Sequence, residues 1–266
     1  MKIAVAQIAC TLGDVAANIA KMLEFCRRGR ESGVELIVFP EMSDTGYSMP
    51  VIQTAARPWS DGAVPALRET ARALSLHIIC GMSEREGDRL YNTQVAIDAR
   101  GEIAAKYRKT HLFAPADEDE TFVAGEDFTT FPVGKWRLGL SICYDLRFPE
   151  VYRALACELG ANALVVSAAW PFPRVEHLRV LATARAIENQ SYVLLANRVG
   201  TDAGVTWCGS SAIIDPSGIT VAAASTEREE LVTADLSIDV LEAVRTRMAV
   251  FAHRRPEIYG PRPSRI

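Results

Sequence analysis

Short apolar runs alternate with longer amphipathic stretches along almost the whole chain. Ile3 to Ile8 reads as a strand, and from Asp14 to Glu31 the residues Val15, Ile19, Met22, Leu23 and Cys26 fall on one helical face. Glu35 to Phe39 is a short buried strand that stops at Pro40, because the residue before a proline is steered out of regular structure. A helical pattern over Ala63 to Leu74 leads into an apolar strand, His77 to Gly81. Two extended segments, Tyr91 to Asp98 and Ile103 to Tyr107, are joined by Ala99-Arg100-Gly101-Glu102, a Gly-centred hairpin signal. The alternation then resumes: strand Leu138 to Cys143, helix Pro149 to Leu159, strand Ala163 to Ser167, helix Val175 to Asn189, strand Tyr192 to Asn197. A second hairpin brackets Asp215-Pro216-Ser217-Gly218, with proline and glycine where a tight turn wants them. Leu231 to Leu236 is a last strand and Val240 to Arg245 a last helix.

This alternation predicts an α/β layer structure, and the two hairpins predict mixed rather than purely parallel sheets. There is no Gly/Ser/Pro-rich linker, low-complexity tract or short repeat, so residues 1–266 are expected to form one domain. Composition changes little: 49% apolar and 23% charged residues are ordinary for a globular chain. A net charge of -4 without a Lys/Arg block lacks the footprint of a nucleic-acid binder, and His253-Arg254-Arg255 is too short to supply one. No apolar run approaches bilayer length, and Met1 to Ala9 reads as an opening strand rather than a signal peptide. A soluble, cytoplasmic protein with no membrane partner is expected. The six cysteines, Cys10, Cys26, Cys80, Cys143, Cys157 and Cys208, form no C-x-x-C pair or Cys/His cluster. No metal is therefore implied, and in a reducing compartment they should be free thiols, mostly buried.

Three places depart from an ordinary core, each just after an expected strand, where ligand sites of open α/β sheets gather. In Phe39-Pro40-Glu41-Met42 a strand ends in a carboxylate. Alone, such a glutamate is usually a surface residue, but in an apolar setting its pKa rises and it can serve as a base. In Tyr107-Arg108-Lys109-Thr110-His111-Leu112-Phe113 a charged run is bracketed by apolar residues. It is either a solvated basic loop or a device for turning one lysine inward; His111, among apolar neighbours, reads as structural. In Leu138 to Cys143, followed by Tyr144-Asp145-Leu146-Arg147-Phe148-Pro149, a buried strand delivers a cysteine into a turn before a helix that opens at Pro149. A lone cysteine is usually core; here nearby helix N–H groups would favour a thiolate.

Together the three make one device for amide hydrolysis, which needs a nucleophile, a base and oxyanion donors. Cys143 can attack, Glu41 can take its proton and later activate water, and Lys109 can steady the oxyanion with the backbone N–H of Tyr144. No cofactor is required.

Pro-Glu after a strand, Arg108-Lys109-Thr110-His111-Leu112-Phe113 and Ile142-Cys143-Tyr144-Asp145-Leu146-Arg147-Phe148-Pro149-Glu150 together resemble the nitrilase, or carbon–nitrogen hydrolase, superfamily. The resemblance continues through Gly160-Ala161, Ala184 to Val193, Asn197-Arg198-Val199-Gly200, Gly209-Ser210-Ser211 and Asp215-Pro216-Ser217-Gly218, and so covers nearly the whole chain. It implies a four-layer α-β-β-α sandwich with two mixed β-sheets, usually paired into homodimers. It implies a Glu–Lys–Cys triad on Glu41, Lys109 and Cys143. A second glutamate is also implied, within Asp117-Glu118-Asp119-Glu120; counted back from Gly125, Glu118 matches best and Glu120 is the fallback. Tyr144 stands where true nitrilases carry tryptophan. Cys143 to Phe148, Trp170-Pro171-Phe172-Pro173-Arg174, Val250-Phe251 and Arg255 to Tyr259 are similar to omega-amidases. That likeness implies monoamides of short dicarboxylic acids as substrates, with Arg174 or Arg147 as cationic partner and Trp170 either walling the pocket or packing in the core. An N-carbamoyl amino-acid hydrolase, a general aliphatic amidase and, outside enzymes, a catalytically silent binding protein are the competing readings.

Overall fold

The computed structural model describes residues 1–259. In the first half of the chain the elements are β1 (Lys2–Gln7), α1 (Val15–Glu31), β2 (Leu36–Val38), α2 (Met49–Ala55), α3 (Ala63–Leu74), β3 (His77–Glu86), β4 (Arg89–Ile97), β5 (Ile103–Arg108) and the single-turn α4 (Glu118–Thr121). The second half continues with β6 (Thr130–Val133), β7 (Trp136–Ile142), α5 (Pro149–Cys157), β8 (Ala163–Ala168), α6 (Val175–Glu188) and β9 (Tyr192–Asn197). It ends with β10 (Val199–Asp202), β11 (Val205–Cys208), β12 (Ala212–Ile214), β13 (Thr220–Ala223), β14 (Glu230–Asp235) and α7 (Ile238–Arg247).

Two six-stranded sheets result, in the orders β14-β1-β2-β3-β4-β5 and β13-β12-β9-β8-β7-β6. In each, three central strands run parallel (β1-β2-β3 and β7-β8-β9) and the flanking strands antiparallel. A parallel step requires a crossover, and helices supply it: α1 and α3 cover the outer face of the first sheet, α5 and α6 that of the second. Helix α1 starts where Asp14 accepts a hydrogen bond from the Ala17 N–H (3.0 Å) and buries Met22, Phe25 and Cys26 on the sheet. The inner faces of the two sheets pack on each other, completing the α-β-β-α order. Fully buried residues such as Leu36, Val38, Leu140 and Val165 fill that interior, each contributing about 1.5–3 kcal/mol relative to exposure. Polar bonds also cross it: Gln94 on β4 donates to Ser167 Oγ on β8 (2.7 Å), which donates to the Phe39 carbonyl (2.7 Å).

Most of the pattern-based strands and helices lie within a few residues of these bounds, but β3 runs on past Gly81 to Glu86 and α2 was not read from the pattern. Strand β7 differs in a way that matters, for it stops at Ile142 and Cys143 opens a 3₁₀ turn, Cys143–Arg147. Strand β6 was hidden by Pro132, which an edge strand tolerates. The β10–β11 hairpin carries its signal at Ala203-Gly204, both at positive φ, yet its strands are too short and polar to stand out. Among the described residues no helix is long and apolar enough to cross a membrane.

Candidate active site

The ends of β2, β5 and β7 meet over the seam between the sheets. Glu41 follows β2 by way of Pro40 and is held by β3, whose Gly81 N–H donates to the Pro40 carbonyl (3.1 Å). A Cβ at position 81 would lie 2.6 Å from both Glu41 Cα and the Pro40 oxygen, so only glycine lets the strands approach this closely. Lys109 follows β5. Its N–H donates to the Asn92 carbonyl (2.8 Å) and its carbonyl accepts from the Gly125 N–H (2.9 Å), which fixes the main chain on both sides. Glu118 opens α4, and its carboxylate is drawn inward by the Phe113 N–H (2.7 Å).

Cys143 sits in the left-handed region, φ 44°, a conformation that costs a residue with a side chain of order 1–3 kcal/mol. Buried Asp145 holds that turn closed, accepting from the Ile142 N–H (2.9 Å) and the Tyr107 hydroxyl (2.7 Å). It also meets His111 Nδ1 at 2.9 Å, while the imidazole stacks on Phe148 at 3.8 Å, in line with a structural histidine.

Lys109, Glu41 and Glu118 form a fully buried cluster. Lys109 Nζ lies 2.8 Å from Glu41 Oε1 and 2.9 and 2.8 Å from the two oxygens of Glu118. Asn92 Nδ2 donates to Glu41 Oε1 (2.7 Å) and to Glu118 Oε1 (3.0 Å). The Tyr47 hydroxyl donates to Glu118 Oε1 (2.8 Å), and the Ala169 N–H to Glu41 Oε2 (2.8 Å). Every carboxylate oxygen of the pair is thereby engaged. Glu120, in contrast, is exposed.

Burial, the largest influence, raises Glu41 above the ordinary carboxylate range against the pull of Lys109 and the hydrogen bond from Asn92. For Lys109 burial acts downward, but the carboxylates of Glu118 and Glu41 outweigh it and hold the ammonium well above its usual value. Burial pushes the Cys143 thiol well up, Glu41 adds to this, and Lys109 and the Ala169 N–H offset only part. The expectation that helix N–H groups keep Cys143 as a thiolate is corrected here. The 3₁₀ turn separates the sulfur from α5, desolvation dominates, and the resting group is the thiol. Glu41 is the raised carboxylate beside it.

Above Cys143 lies a cavity of about 660 Å³, walled by Tyr144, Trp170, Trp207, Arg147 and Arg174 among others. Trp170 is 3% exposed and does both things the sequence left open: it packs in the core and walls the cavity. Its indole N–H donates to the Arg174 carbonyl (2.9 Å). The Arg147 guanidinium sits 4.7 Å over the Trp170 ring and 6.0 Å from that of Tyr144. Among the described residues neither arginine pairs with a carboxylate, so the cavity holds two cations without counter-charge. Tyr144, second in the 3₁₀ turn, has an N–H with no acceptor within that turn. Among the described residues no group of three or more His, Cys, Asp or Glu side chains converges as metal ligands would.

Sequence reasoning passed over Asn92, Ala169 and Trp207. Asn92 had a signal: with Gln94 it places two polar residues on the same face of an interior strand, and both are buried. The Ala169 N–H had none, since a backbone donor carries no side-chain mark.

The family model described as carbon–nitrogen hydrolase matches residues 2–246. The chain is 35% identical to 2-oxoglutaramate amidase of Bacillus subtilis over 254 residues, covering 95% of this chain and 97% of the relative. It is 31% identical to human omega-amidase NIT2, with 91% of each covered. Among solved structures, the NitN amidase of Nesterenkonia sp. AN1 superposes with a TM-score of 0.87 at 28% identity, covering 97% of both chains. A variant of that amidase carries the product of acrylamide addition at its active-site cysteine.

Proposed function

The chain belongs to the carbon–nitrogen hydrolase family and hydrolyses non-peptide amides, and within that activity we propose that Cys143, Glu41 and Lys109 act together on monoamides of short dicarboxylic acids. The observation that carries this reading is one buried ammonium clamped between two carboxylates beneath a cavity that Cys143 lines and whose nearby cations are unpaired.

Glu41 takes the proton of the Cys143 thiol as the sulfur attacks the amide carbon. The carbonyl oxygen becomes an oxyanion, which the Lys109 ammonium and the Tyr144 N–H stabilise. Collapse breaks the C–N bond; Glu41 returns the proton to the departing nitrogen and ammonia leaves a thioester on Cys143. Water then attacks the thioester carbon and gives its proton to Glu41. The second collapse expels the thiolate, which recovers that proton, and the free acid departs. Glu118 keeps Lys109 charged and aimed.

At the distal end Arg147 or Arg174 meets the substrate's free carboxylate, with the Trp170 face bracing Arg147. The names of the Bacillus and human relatives point to the same substrate class. The proposal extends to a single cytoplasmic domain that works as a homodimer. Val180 and Ile187 on the outer face of α6 are 63% and 52% exposed, which suits a face covered by a second copy.

The test is ammonia release over a panel of dicarboxylate monoamides, propionamide, N-carbamoyl amino acids and nitriles, with mass spectrometry of the trapped enzyme. The reading expects the monoamides fastest and an acyl adduct on Cys143. A faster ureido acid or propionamide would overturn the substrate class, and an adduct on any other cysteine would overturn the nucleophile.

A further inference from the structure

Among the described residues, Asn92 is the one outside the buried cluster that hydrogen-bonds all three of its charged members. Its side-chain NH₂ donates to Glu41 Oε1 (2.7 Å) and Glu118 Oε1 (3.0 Å), the same two oxygens that receive Lys109 Nζ. Its main-chain carbonyl accepts the Lys109 N–H (2.8 Å). The two carboxylates, the ammonium and the amide therefore close a ring of alternating donors and acceptors. Asn92 lies inside β4, paired with Ser83 of β3 on one side and bonded to the Lys109 N–H just past β5 on the other, so its main chain is held from both sides. Its Oδ1 is buried without a partner. A side chain that only filled space here would be better served by an apolar residue, so the retained amide points to use of its NH₂.

We propose that Asn92 is a positioning residue that holds Glu41 ionised and aimed at Cys143 by supplying a neutral donor beside Lys109. This rests on the reading of Glu41 as the base. An uncharged donor does what a second cation could not: it favours the carboxylate without adding charge next to the ammonium. The titratable groups facing Glu41 are Lys109 after β5, Glu118 on α4, Cys143 after β7 and Tyr47 after β2. All remain when Asn92 is replaced, so a change in pH dependence isolates the amide.

The test compares wild type, Asn92→Leu, Asn92→Asp and Glu41→Gln. Two readouts are taken across pH: kcat and KM for ammonia release from succinamate, and the rate of Cys143 alkylation by iodoacetamide. Asn92→Leu, of similar size, should lower kcat about 10- to 100-fold with KM within threefold, a part of a general-base contribution. It should move the acid limb of both profiles to higher pH. Asn92→Asp keeps the shape and sets a third carboxyl against the other two, so like-charge repulsion should move the limb in the same direction, and alkylation supplies the readout if turnover is lost. Acid limbs coincident with wild type in every folded Asn92 variant, or a loss confined to KM, overturn the inference. Should Glu41→Gln retain wild-type rates, the base assignment falls with it; should Glu41→Gln be inactive while the Asn92 variants keep the wild-type profile, Asn92 alone is refuted.

Discussion

The two ends of the cavity are built on opposite plans. Beneath the floor, which Cys143 lines, Glu41, Lys109 and Glu118 are buried and every carboxylate oxygen has a donor, two of these donors being the backbone N–H groups of Phe113 and Ala169. At the rim, Arg147 and Arg174 are half-buried, and Arg147 is braced by aromatic faces rather than by an ion pair. Under the proposed function, the charges that carry chemistry are fixed in advance, because any reorganisation would add to the barrier. The charges proposed to recognise substrate are left unpaired, because a counter-ion already in place would compete with the incoming carboxylate. Pre-satisfaction marks the reacting end and deliberate incompleteness the selecting end.

The contrast makes graded predictions. Cys143→Ala should reduce ammonia release to background while far-ultraviolet circular dichroism and thermal unfolding stay near wild type; measurable turnover would remove the nucleophile assignment. Lys109→Met comes next, because it removes an oxyanion donor and leaves two buried carboxylates without their counter-charge. A loss in kcat above about 1,000-fold is expected, and an active Lys109 variant beside an inactive Lys106 or Lys135 variant would show the wrong lysine was chosen. Glu41→Gln should cost about 100- to 10,000-fold in kcat with KM little changed. The smallest effect belongs to the rim. Arg147→Ala and Arg174→Ala should leave kcat for propionamide within threefold, and at least one should raise KM for succinamate by tens- to hundreds-fold, from loss of a charge-assisted pair. Equal losses on both substrates would erase the division between the two ends.

A pH profile sharpens the same contrast. Glu41 acts as a base only when ionised, and burial raises its pKa, so kcat/KM should climb with pH through a limb placed above the ordinary carboxylate value of 4.5. Lys109 is held above its usual 10.5 and contributes no falling limb below that pH. An acid limb at or below 4.5 would mean that the raised carboxylate is not the base.

What could be read from sequence follows the same split. Glu41 and Cys143 stood out as chemically odd residues at the end of apolar runs, whereas Lys109 stood in a charged run and was singled out by the resemblance; the structure brings all three together. Glu118 was legible only through its spacing from Gly125, and the structure separates it from exposed Glu120 by the Phe113 N–H that turns one carboxylate inward. The central strands and the mixed pairing were legible as periodicity, whereas β6, β10 and β11 were not, and the two-sheet sandwich came from the resemblance. The protonation state of Cys143 was not, since whether a thiol beside a turn gains helix donors or loses water depends on how far the 3₁₀ segment sets it from α5. Nor was Asn92, whose role comes from two carboxylates 51 and 26 residues away in the chain.

The seam between the sheets gives this protein a built-in mechanical gauge. Glu41 and Lys109 ride on one sheet, Cys143 and the Ala169 N–H on the other, and the polar ties across them include Ala169 to Glu41, Gln94 to Ser167 to Phe39, Tyr107 to Asp145 and Ser211 to Gln7. A slip of one ångström along that plane would separate base from nucleophile while leaving each sheet's own ladder intact. Turnover is thus a far stricter reporter of inter-sheet alignment than any measure of secondary structure, and mild denaturant should silence the enzyme before its ellipticity falls.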